Sequence, residues 1–85
     1  MAEIIQRYTP QFHDDNGLAY AVMACGELNG GLWEGWLEFH TVGETRPILR
    51  TERETTQPDR GALEYWASGL EPLYFEGAFA RAREK

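Results

Sequence analysis

One cysteine, Cys25, stands among the 85 residues, so an internal disulfide is excluded. That usage suits a reducing compartment, and the expected location is the cytoplasm. Lysine is nearly absent: one of the eight cationic side chains is Lys, against 14 Asp and Glu and a formal net charge of −6. A chain this acidic lacks the electrostatic term that binds phosphate backbones, and anionic membranes are disfavoured for the same reason. Long apolar runs are missing. No stretch approaches the roughly 20 apolar residues of a transmembrane helix. Arg7 breaks the Ile4-Ile5 run, so no secretory leader is expected. Repeats, low-complexity tracts and linkers are also missing, so one domain over residues 1–85 is expected.

What remains must fold around a small core. A chain of this length buries roughly 60–65% of its unfolded surface. Without a staple, such a core leaves about 3–5 kcal/mol of net stability. No metal-ligand set is evident to supply the staple, so self-association is the natural substitute. Aromatic residues, 13% of the chain, help by burying large areas each.

Hydrophobic alternation gives the architecture. Residues 3–9 suit a short first strand or an ordered arm ended by Pro10, with a loop over 10–17. Residues 18–28 carry helical as well as strand character. The Asn29-Gly30-Gly31 turn that follows, and the alternating run after it, favour a hairpin. In residues 32–42, Trp33, Gly35, Leu37, Phe39 and Thr41 share one face, and Leu32, Glu34, Trp36, Glu38 and His40 share the other. The second set holds both acids and the histidine, so it is expected to face solvent, with Trp33 in the core and Trp36 outward. A bulge at Gly35 would shift this register and turn Trp36 inward.

Residues 47–54 read as a charged edge strand whose Arg50 and Arg53 sit opposite Glu34 and Glu38. Thr56 or Gln57 is the expected N-cap of a first helix, with Pro58 at its first position and Gly69 as a left-handed C-cap. Its core stripe is Ala62, Leu63, Trp66 and Ala67. A second helix over 71–84 presents Leu73, Tyr74, Ala78, Phe79 and Ala82, with Arg81, Arg83 and Lys85 at its C-terminal end. The fold class is therefore α+β: a three- or four-stranded antiparallel meander, then two short helices packed on the sheet.

Chemistry is thinly represented. Cys25 lies among alanines with no activating cation beside it in sequence, and reads as a structural thiol. His13-Asp14-Asp15 could supply metal ligands, with His40 as a further candidate. A turn whose Asx side chains bond their own backbone explains the loop cluster more simply. Glu34 and Glu38 are about 13 Å apart along a strand, too far to share acid–base work. Gly26, Gly30 and Gly31 bracket a turn and open no helix, so no nucleotide cradle forms.

Three stretches, WEGWLEF, RTERETTQP and WASGLEPLYFEGAFARA, together resemble a group of small uncharacterised bacterial proteins. The resemblance spans roughly residues 20–82 and holds no enzymatic motif. It implies a bacterial stand-alone domain and carries over no functional residue. The expected function is a non-enzymatic interaction or accessory module, with a protein partner or a second copy bound and no cofactor. Its candidate surface is Leu32, Glu34, Trp36, Glu38, His40, Arg50 and Arg53. The alternatives are a small-molecule or metal-binding protein using His13, Asp14, Asp15 or His40, and an acidic decoy of a nucleic-acid-binding surface.

Overall fold

The computed structural model describes residues 1–84; the expected role of Lys85 at the end of the last helix lies outside them. Strands β1 (Glu3–His13), β2 (Ala19–Asn29) and β3 (Leu32–Thr41) form an antiparallel meander. Two short strands, β4 (Leu49–Arg50) and β5 (Thr55–Gln57), both pair with the far side of β3. Helices α1 (Arg60–Ser68) and α2 (Pro72–Arg83) follow and pack on one face of the sheet. This is the α+β class that the strand-then-helix order implies.

The β2–β3 hairpin is the frame. Its register runs without interruption from Tyr20↔Thr41 to Asn29↔Leu32. Gly30 and Gly31 close it with φ values of +62° and +86°, the left-handed conformation that a tight hairpin turn requires. Gly35 carries no bulge. It stands opposite Gly26, and a Cβ on it would lie 2.6 Å from Leu63 Cδ1; one on Gly26 would lie 2.5 Å from Leu63 Cδ2. The glycine pair is a socket for the main anchor of α1.

Several expectations change. Pro10 does not end β1, which runs on to His13 instead of giving way to a loop. Register shifts between Ile4 and Gln6 and between Arg7 and Gln11 absorb the proline on this edge strand. They also let Ile5, Tyr8 and Phe12 all reach the helix side, a spacing that an unbroken strand would not allow. The expected third strand is two pieces around a detour. There Thr51 is buried, and its hydroxyl takes the Leu37 N–H at 3.1 Å in place of a ladder carbonyl. Thr55–Gln57 belongs to β5 and not to a helix entry. Asp59 is the N-cap, its carboxylate accepting from Ala62 N at 2.8 Å. Gly69 is right-handed, φ −94°, so α1 ends without a left-handed cap.

The main core lies between sheet and helices. Tyr20, Val22, Ala24, Leu37 and Phe39 meet Ala67, Phe75, Ala78, Phe79 and Ala82. Residues 75, 78, 79 and 82 follow the helical i, i+3, i+4, i+7 stripe. Leu73 and Tyr74, expected inward, lie one step off that stripe, and Leu73 is 79% exposed. The Tyr8 hydroxyl donates to Ala67 O at 2.6 Å, tying β1 to α1. Neither helix is long and apolar enough to cross a membrane.

Candidate functional site

The opposite face of the sheet carries no helix among the described residues. Its composition follows from strand registers, because directly opposed residues share a face. One row is Ile4, Cys25 and Trp36. The next is Arg7, Met23, Glu38 and Arg50. The third is Gln11, Ala21 and His40.

Trp36 sits here, on the side expected, but it does not face water: its exposure is 1%. It packs with Met23 and Cys25 as a small second core. The Arg50 guanidinium lies 3.9 Å from its ring centroid, within cation–π range. The two tryptophans thus exchange their expected burial. Trp33 points to the helix side near the hairpin end and is only half-buried, with Arg60 5.9 Å from its ring.

Glu38 organises the polar part of the face. Its Oε2 accepts from Trp36 Nε1 at 2.8 Å, and its Oε1 lies 2.9 Å from His40 Nε2. Burial pushes this carboxyl up, but hydrogen bonds from Trp36, His40 and the Cys25 thiol outweigh it and hold the group below its ordinary value. Cys25 responds in the opposite sense. Burial, the Glu38 charge and the bond to Glu38 push the thiol up to about 12, against weaker pulls from Arg50 and Arg7. The order in space is thiol, carboxylate, imidazole. A nucleophile relay needs the imidazole beside the thiol, and here burial, helped by a carboxylate, keeps the thiol protonated.

The remaining sequence candidates fall outside this cluster. Leu32 is at the hairpin end and exposed. Glu34 pairs with Arg53 at 3.4 Å, an exposed contact from the detour between β4 and β5. Asp14 closes its own turn, accepting from Asn16 N at 2.9 Å and Leu18 N at 3.0 Å. Asp15 lies 3.3 Å from Arg83. His13 opposes Ala19 at the end of β1. Among the described residues no three His, Cys, Asp or Glu side chains stand together as a metal site.

Sequence reasoning missed Arg7. It is exposed on the helix-free face, directly across Met23 from Glu38. Arg46, Arg53, Arg60, Arg81 and Arg83 each have a carboxylate within ion-pair distance. Among the described residues Arg7 and Arg50 are the arginines without one, and both lie in the same row of this face. The Ile5–Tyr8 spacing was the available sign that β1 bulges and turns Arg7 outward.

Comparison with family models, with curated proteins and with solved structures finds no match to this chain.

Proposed function

We propose that this chain is a non-enzymatic protein-interaction module working through the helix-free face of its sheet. The observation that carries the reading is the pair Arg7 and Arg50, neither with a carboxylate at ion-pair distance among the described residues, flanking a fixed carboxylate on that face. Arginine and aromatic side chains are enriched at protein interfaces, and Glu38, held by Trp36 and His40, enters a contact already ordered. The surface is narrower than the sequence candidates suggest. Trp36 is its floor, Glu38, His40, Arg50 and Arg7 its working groups, and Leu32, Glu34 and Arg53 lie at its margin.

The protonated Cys25 and the thiol–carboxylate–imidazole order favour binding over catalysis. The net charge of −6 favours a protein over a nucleic acid as partner. The single buried thiol fits the cytoplasm.

The test is partner capture from an extract of the source cells on immobilised wild type, Arg7→Glu, His40→Ala and, as a helix-side control, Tyr65→Ala. The module loses its captured protein with the first two variants and keeps it with the third. Capture that ignores Arg7 and His40, or fails with Tyr65→Ala alone, contradicts the reading.

A further inference from the structure

The geometry points to a second copy of this chain as the occupant of the helix-free face, an inference that rests on the reading of that face as a protein-binding surface. Met23 stands directly opposite Arg7 on β1 and directly opposite Glu38 on β3. A cation and a carboxylate therefore flank the central strand at equal spacing, about 5 Å to either side.

Two facing sheets can be related by a two-fold axis lying between them, parallel to β2. That operation exchanges left and right and keeps strand direction. Arg7 of each copy then meets Glu38 of the other, while Met23 meets Met23. The same operation sets the exposed Ile4 against the Trp36–Arg50 stack and Gln11 against His40. Charge meets opposite charge, an apolar side chain meets the guanidinium that covers Trp36, and an amide meets an imidazole, in three rows at once. Such an interface is isologous.

The alternative axis, running across the strands, sets Arg7 against Arg7 and Glu38 against Glu38. Charge thus selects the axis along β2. Packed sheets stand about 10 Å apart, a gap that Arg7 and Glu38 span from opposite sides. Glu38 can accept the contact, because its two oxygens offer four lone pairs and the hydrogen bonds from Trp36, His40 and the Cys25 thiol take three of them.

The experiment is sedimentation equilibrium of wild type, Arg7→Glu, Glu38→Arg and a 1:1 mixture of the two variants, with thermal melts to confirm folding. Wild type associates as a dimer. Each charge reversal raises the dissociation constant at least about tenfold, because both symmetry-related contacts become repulsive. The mixture recovers most of the affinity, since a mixed dimer holds one native and one reversed attractive contact. If Glu38→Arg does not fold, Arg7→Ala against the helix-side Tyr65→Ala decides: the first weakens the dimer and the second leaves it unchanged.

A monomeric wild type, or a dimer indifferent to Arg7, overturns the second-copy assignment. A monomer whose captured partner still depends on Arg7 and His40 overturns it while leaving the face a protein-binding surface. Capture indifferent to both residues removes that reading as well.

Discussion

The guanidinium of Arg50 covers the ring of Trp36, 3.9 Å from its centroid, on a sheet face that carries no helix among the described residues. Arg50 is directly opposite Glu38, two residues along β3 from Trp36 and on the same face, so its stem can lie back over the indole. The outward-pointing tryptophan is buried by a neighbouring strand's cation and not by a second layer of structure.

Removing that cover has a direct consequence. Arg50→Ala should destabilise the fold by about 1 kcal/mol, the scale of a partly desolvated cation–π contact. Tryptophan emission should shift to the red, and the Trp36 indole N–H should exchange faster. Arg50→Lys should retain part of the effect. Unchanged emission in Arg50→Ala would show that Trp36 is covered by something else.

Gly35→Ala should cost about 1–3 kcal/mol, because its Cβ enters the space filled by Leu63 Cδ1. Urea melts of Gly35→Ala, Leu63→Ala and the double variant check the cause. The double should be clearly more stable than the sum of the two losses implies, since the truncated leucine makes room for the new methyl.

These positions show what sequence could and could not convey. The β2–β3 hairpin was legible because Asn29-Gly30-Gly31 and the alternation around it state the same turn and register. Both helices were legible from their apolar stripes, although Phe75 replaced Leu73 and Tyr74 as the inward residue of the second. The far half of β1 was hidden by Pro10, since two register shifts let an edge strand pass a residue that ordinarily ends one. Thr55–Gln57 resembled a helix entry because Thr, Gln and Pro are capping residues; pairing with Trp33 and Gly35 overrode that local preference. Strand period correctly gave the face of Trp36. It could not give its burial, which depends on Arg50 arriving from another strand, nor could it show Arg7 joining the same row.

The cap of α1 separates the expected start from the observed one. Asp59→Ala should cost about 1 kcal/mol by losing the bond to Ala62 N. Thr56→Ala, on the exposed side of β5, should cost less. Thermal melts of the two variants suffice, and a larger loss at Thr56 would restore it as the cap.

The Glu38 carboxyl is held below its ordinary value, about 4.3 for a free glutamate. A depressed folded value means that ionised Glu38 stabilises the fold above the unfolded value. The contribution is lost as pH falls through the folded value. Wild type should therefore exceed Glu38→Gln in stability at neutral pH, and the two should converge on acidification below about pH 4. Denaturant midpoints across pH measure this; a constant difference would mean that Glu38 acts without its charge.

Cys25 should be a slow thiol. With its value pushed up to about 12, its thiolate fraction near neutrality is on the order of a thousandfold below that of an unperturbed thiol. Alkylation should be slow in the native state and should reach the ordinary rate in denaturant. Rapid native alkylation would contradict the protonated, buried placement.

Pairing of the sheet face with itself is read directly from a dilution series of amide and indole N–H spectra on the isotope-labelled wild type. A self-pairing sheet face gives concentration-dependent shifts at Arg7, Met23, Glu38, His40 and the Trp36 indole, with Tyr65 and Leu73 on the helices unmoved. Shifts confined to the helices, or spectra that do not change with concentration, would contradict a sheet face that pairs with itself.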